Sequence, residues 1–185
     1  MNILYKLTFF LFFVVAHLTS FSQTIVTPAT GGNSICLNNG PSTSDYYNLS
    51  DIIIAEQTVT DFASPNSDRT YVIGFSGGFF EFEAGVGNVI VTGSGVSLGG
   101  TPITVTTNNI IITVAYYNAS DVAINSIIIS GIRVRATGGG SGEIRRTGGS
   151  INMNANMVGD AQNHATLEAN IPPVANLVND HGSVT

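Results

Sequence analysis

The chain has 185 residues, one cysteine, no tryptophan and a formal net charge of −6 at pH 7. This length is enough to bury the core of one domain. The acidic balance with scattered arginines lacks the concentrated positive field that nucleic acids and anionic membranes need. It therefore argues against partners of both kinds.

The first 22 residues have the three parts of a secretory signal peptide. Lys6 is the only lysine, residues 7–18 are almost wholly apolar, and Ser20 and Ser22 are small. The apolar run is shorter than the roughly 20 residues that cross a bilayer. We predict a signal peptide over residues 1–22, and a secreted, extracellular or cell-surface protein with no mature transmembrane segment. Cleavage leaves five arginines against twelve acidic residues.

Apolar residues then recur at every second position. Alternating segments are residues 80–83, 103–106, 132–135, 151–157 and 165–171. Alternation is typical of strands with one face on a core and one in water. Isoleucine triplets at 52–54, 110–112 and 127–129 predict central strands buried on both faces.

Turns rich in glycine and asparagine separate these segments at close spacing. The pattern predicts an all-β, antiparallel, immunoglobulin-like β-sandwich of roughly eight to ten strands over residues 45–171. Residues 23–44 are expected to be an irregular lead-in. Pro172 and Pro173 end the last alternating segment, which leaves residues 172–185 as a linker or a truncated tail.

Cys36 stands alone, so no internal disulfide can form. A lone thiol could pair with a partner, coordinate a ligand or be buried, and we expect burial. No base lies near it in sequence that would make it a catalytic nucleophile.

Residues 74–78 match the G-x-S-x-G motif of a hydrolase nucleophile elbow, which would make Ser76 the nucleophile. That motif needs a following helix, but a second strand follows here. The interpretation we favour is a glycine hairpin turn. A serine mechanism would also need His164, which the sequence places in a polar surface turn after Asp160.

The acidic residues have two further interpretations. Glu81 and Glu83 lie about 7 Å apart along one strand, and a solvated strand face explains them better than a glycosidase pair. Asp45, Asp51, Asp61 and Asp68 fall in or beside loops, where calcium is conceivable, but they lack the spacing of a calcium loop. We predict no cofactor, no metal ligand and no catalytic residue.

Two tyrosine doublets, at 46–47 and 116–117, could each direct one ring inward and one outward. A flat row of exposed tyrosines would favour a carbohydrate-binding module of an extracellular enzyme.

Five stretches in order carry a resemblance to a known family, namely residues 51–56, 60–62, 79–87, 128–136 and 144–149. Together they resemble the N-terminal β-sandwich module of large secreted surface proteins of Bacteroidetes. Those proteins commonly continue into immunoglobulin-like or PKD-type repeats and end in a gliding-motility-associated or type IX secretion sorting domain. The short tail over residues 174–185 has no closing feature, from which we expect this chain to be the front end of a longer protein or a truncated gene model. The resemblance transfers no site residue.

The function that we predict is a non-catalytic structural or adhesion module of a bacterial cell-surface or extracellular protein. Its partners would be other extracellular or cell-surface proteins, or glycans. The carbohydrate-binding module is the alternative, and a hydrolase using Ser76 is a third hypothesis.

Overall fold

The alternating segments form β-strands, and the structure is all-β in the part of the chain that it describes. The computed structural model describes residues 24–37, 45–59, 61–62, 68–77, 79–117, 123–151 and 162–170. The strands are β1 (Ile25–Thr27), β2 (Ile35–Cys36), β3 (Tyr47–Asn48), β4 (Ile52–Ala55), β5 (Arg69–Ser76), β6 (Phe80–Phe82), β7 (Asn88–Thr92), β8 (Val96–Val105), β9 (Asn109–Tyr117), β10 (Ser126–Ser130), β11 (Arg133–Ala136), β12 (Gly140–Gly148) and β13 (Asn163–Asn170). Those residues include no helix long and apolar enough to cross a membrane.

The strands form three sheets, with orders β1-β4-β10-β7, β3-β11-β6 and β2-β13-β12-β5-β9-β8. Each strand of the three-stranded sheet is joined by a short bend to its counterpart in the four-stranded sheet, so we call these two sheets together the front layer. Gly131 makes one of the bends with φ +65°, a conformation that glycine adopts without strain. We call the six-stranded sheet the back layer.

The two layers pack against each other through a single apolar core. Phe75 of β5 stacks on Phe82 of β6 with ring centroids 4.1 Å apart, which joins the back layer to the front. Ile73, Ile110 and Val134 are fully buried between the layers. This arrangement is consistent with a β-sandwich.

The isoleucine triplets alternate instead of being buried on both faces. In each triplet the first and third residues are 0% exposed, whereas the middle one is only half-buried. The reason is the strand period of two, which turns each middle side chain away from the core.

The described residues contain thirteen strands, more than the eight to ten expected, for two reasons. The bends divide three long strands of the front layer into pairs, and the segment 24–37 contributes β1 and β2. The expectation of an irregular lead-in is therefore corrected for that segment. β1 pairs with β4, and β2 pairs in parallel with β13. The predicted leader (1–22), residues 38–44, most of the alternating segment 151–157 and the tail (172–185) lie outside the described residues.

Candidate binding surface

Five side chains form a charged and aromatic row on the outer face of the three-stranded sheet, and we call it the Tyr46 ladder: Tyr46, Glu81, Glu83, Arg133 and Arg135. The two arginines alternate with Val134, which is fully buried, so both guanidinium groups point away from the core.

Geometry couples the members of the ladder. Arg135 pairs directly across from Glu81, and its Nη2 and Nε donate to Glu81 Oε2 at 2.6 and 3.0 Å. Arg133 Nη1 donates to Glu83 Oε2 at 2.5 Å. The guanidinium carbons of Arg135 and Arg133 lie 4.9 and 5.8 Å from the centre of the Tyr46 ring, within the range of a cation–π interaction.

The ladder remains accessible to a partner. The side chains of Arg133 and Arg135 are 38% and 20% exposed, and those of their partners Glu83 and Glu81 are 27% and 31% exposed. The hydrogen bond from Arg135 to Glu81 raises the pKa of that guanidinium above its ordinary value. Partly solvated pairs of this kind add little to stability, so these groups can exchange their present partners for those of a ligand.

The sequence predicted the solvated glutamates but not their arginine partners. Glu81 and Glu83 are two residues apart, and so are Arg133 and Arg135. Each strand carries charged residues at every second position, with opposite signs on the two strands. This pattern could have predicted that the two strands pair.

The first tyrosine doublet behaves as predicted. Tyr46 joins the outer face, whereas Tyr47 packs against the core and its hydroxyl accepts a hydrogen bond from the Cys36 amide at 3.1 Å. The side chains of Tyr116 and Tyr117 lie outside the described residues. Tyr71 is fully buried. Among the tyrosine side chains that can be placed, there is therefore no flat exposed row.

Ser76 and His164 occupy different environments. Ser76 is exposed at the end of β5, whereas His164 is 0% exposed within β13, so the predicted surface turn at His164 is wrong. Ala165, Leu167 and Ala169 face inward by the alternation of β13, whereas His164 lies at a register shift between β12 and β13 and is buried next to Ala165. The hairpin prediction for residues 74–78 is also wrong: Gly77 (φ +120°) leads the chain from the back layer to β6 in the front layer. β5 has no free edge for β6, because β12 and β9 pair with it on both sides.

His164 belongs to a buried cluster. Its Nδ1 lies 3.1 Å from the carbonyl oxygen of Gln162. A carbonyl can only accept, so Nδ1 carries the proton, and Nε2 accepts from the Tyr71 hydroxyl at 2.7 Å. Burial lowers the pKa of His164 to about 4, against the opposing effect of the Gln162 carbonyl, and the charge of Arg146 lowers it further. Both ring nitrogens of His164 take part in hydrogen bonds within the fold. His164 therefore has a structural role and is not placed to act as a base for Ser76.

Arg146 completes that cluster. Its guanidinium carbon lies 4.9 Å from the centre of the Tyr71 ring, and its Nη2 donates to the Ile151 carbonyl at 2.6 Å. Burial lowers the pKa of this guanidinium.

The calcium hypothesis gains no support at Asp61, because the turn after β4 uses its carboxylate. Asp61 is 0% exposed, and its Oδ2 accepts hydrogen bonds from the amides of Gln57 and Thr58, both at 2.8 Å. Asp45, Asp51 and Asp68 are exposed. Across the described ranges no cluster of three or more acidic, histidine or cysteine side chains could hold a metal ion.

Glu56 organises the same end of the sandwich. Its side chain is 4% exposed and accepts hydrogen bonds from the Phe62 amide at 3.0 Å and from the Asn125 side chain at 2.7 Å. Asn125 Oδ1 in turn accepts from the Gly95 amide at 3.0 Å. This network ties the turns that flank β4, β7 and β10, so it is a structural feature.

Cys36 is exposed, which corrects the expected burial. It follows Ile35, which is 0% exposed, and adjacent side chains of a strand point to opposite faces.

No protein-family model and no curated protein matches the chain.

Proposed function

We propose that the chain is a non-catalytic adhesion or structural module of a secreted bacterial surface protein, built on an immunoglobulin-like β-sandwich. The observation that carries this proposal is the Tyr46 ladder, a row of positive and negative side chains that is held on a sheet and partly exposed to solvent. Groups held in place by strands lose little conformational entropy on binding. Complementary charges on a partner then determine its orientation and its specificity.

The ladder suits a protein partner better than a glycan. Sugar recognition uses the open face of an aromatic ring, but the Arg135 guanidinium already lies 4.9 Å from the Tyr46 ring centre. Arginine and tyrosine side chains are enriched at protein interfaces. A carbohydrate-binding module is the alternative outcome of the experiment below.

The test is binding of the exported full chain to arrays of purified extracellular proteins and of glycans, each with and without calcium. We expect a selective protein signal that falls at least about tenfold in Arg133→Gln and Tyr46→Ala, the loss of a central interface residue. Arg145→Gln is the matched control, because Arg145 is 34% exposed and is ion-paired to Glu143 on the back layer. We expect this control to bind like the wild type.

Other outcomes would contradict the proposal. Selective glycan binding would show that the Tyr46 ladder is not a contact for a protein. An equal loss of protein binding in Arg133→Gln and in Arg145→Gln would show the same. Blank arrays would overturn the adhesive role itself.

The leader and the resemblance to Bacteroidetes surface modules belong to the same proposal. If residues 1–22 direct export, the mature chain begins at Gln23. Intact mass and N-terminal sequencing of the exported protein test this directly. Retention of residues 1–22 would contradict it.

A further inference from the structure

The four-stranded sheet of the front layer carries no charged side chain on either face. This holds for every residue of β1, β4, β10 and β7 (sequences IVT, IIIA, SIIIS and NVIVT). The mature chain otherwise has twelve acidic residues and five arginines, which makes it strongly negative. Two copies of an acidic protein approach each other with least repulsion through an uncharged surface.

Isoleucines form a continuous row across the outer face of that sheet. The register places Ile53 opposite Ile128, and Ile128 opposite Ile90. Ile53 and Ile128 are half-buried by their neighbours, whereas Ile90 on the edge strand β7 is 48% exposed. The apolar row therefore ends at the edge strand β7, which β8 of the back layer contacts without pairing with it.

β7 lacks the features that protect the other edges of the described sheets against pairing. β1, β2 and β3 have only two or three residues. β8 has Pro102 and two register shifts. At β6 the Phe82 amide donates to the carbonyl of Thr107 at 2.9 Å. Short length, proline, irregular register and cover by a loop are the usual ways in which natural sheets block an edge.

In contrast, β7 has five residues with neither proline nor charge. It pairs with β10 along one side in regular register. Alternate residues of an antiparallel edge strand direct their N–H and C=O groups away from the sheet. A strand of this kind is a template for another strand.

We infer that β7 pairs with β7 of a second copy of this chain, antiparallel and about a two-fold axis, to join the two four-stranded sheets. Full overlap of the five residues places Ile90 opposite Ile90 of the second copy, and Asn88 opposite Thr92. The isoleucine row then continues across the axis. Such an isologous contact closes on itself as a dimer.

The dimer is tested by sedimentation equilibrium of the exported full chain over a range of concentrations. We expect the wild type to associate, and Ile90→Lys to raise the dimer dissociation constant at least about tenfold, because two lysines would face each other across the axis. Ile25→Lys is the matched control: Ile25 is 45% exposed on the opposite edge of the same sheet. It should associate like the wild type. Thermal melts of both variants check that the fold is retained.

A charge exchange tests the register itself. Ile90→Lys and Ile90→Glu should each be monomeric alone, and an equimolar mixture should form a heterodimer. Hydrogen exchange at residues 88–92 should be slower in the dimer than in the monomer.

A wild type that stays monomeric at all concentrations would overturn the inference, as would equal weakening by Ile25→Lys or a mixture that does not associate. This inference goes beyond the adhesive function. It involves a different face from the Tyr46 ladder, so either can fail without the other.

Discussion

Acid should destabilise this protein through His164, and the size of the effect follows from its environment. The folded state holds the imidazole neutral with a pKa of about 4, against an ordinary value of 6.5. Between these two pH values the imidazole is protonated in the unfolded chain but not in the folded chain. The free energy of unfolding therefore falls as the pH drops from about 6.5 towards 4. A difference of two to three pKa units corresponds to about 3 kcal/mol in total, of which about 2 kcal/mol is lost between pH 7 and pH 5.

The perturbation that isolates this effect is His164→Gln. Glutamine can still accept from the Tyr71 hydroxyl but does not titrate. Urea unfolding of the wild type and the variant at several pH values from 7 to 4 gives the difference in slope. The variant should be the less stable protein at pH 7 but should lose about 2 kcal/mol less than the wild type between pH 7 and pH 5. His181→Gln, in the predicted tail, should keep the wild-type slope. Parallel losses in the wild type and in His164→Gln would refute the reasoning, because they would mean that the charged imidazole is accommodated in the folded state.

Two further substitutions probe the turn network and the core. Gly93 has φ +92°, and a Cβ there would lie 2.2 Å from Asn125 Oδ1, so Gly93→Ala should cost about 1–3 kcal/mol in urea unfolding. Gly100→Ala is its control, since a Cβ at Gly100 meets nothing within 4 Å; an equal cost there would contradict the clash. Phe82→Ala should cost about 3–5 kcal/mol, because Phe82 is 0% exposed between the layers. Phe79→Ala, at a side chain that is 50% exposed, should cost less than about 1 kcal/mol; similar losses would place the core elsewhere.

The strands could be predicted from the sequence because their signal is local. Residues 80–83 and 132–135 alternate between apolar and charged, and they lie in or beside β6 and β11. Which strands would pair was not predictable in the same way. Glu81 meets Arg135 across 54 residues of chain, and local periodicity carries no information about such a distance. The sequence therefore predicted the glutamates and the arginines of the Tyr46 ladder only as separate pairs.

The errors at Cys36 and His164 have a related cause. Cys36 was expected to be buried because free cysteines usually are, and His164 was placed in a surface turn from the polarity of its sequence neighbours. In the fold, strand alternation turns Cys36 outward, whereas a register shift between β12 and β13 turns His164 inward beside Ala165. The register of a short strand depends on its tertiary partner, which the local sequence does not specify.

The parallel contact between the N-terminal segment and β13 has a mechanical consequence. Segment 24–37 is joined to β13 by backbone hydrogen bonds of 2.7, 2.8 and 3.1 Å, spread along the strand. A pull on the chain before Thr24 and after Asn170 grips this parallel pair at opposite ends. The force then acts along the strands, in shear, and loads all of these hydrogen bonds at the same time. It does not break them one after another. A module held between a cell and a surface would be loaded in this direction. Its resistance to mechanical unfolding would then come from the contact between segment 24–37 and β13.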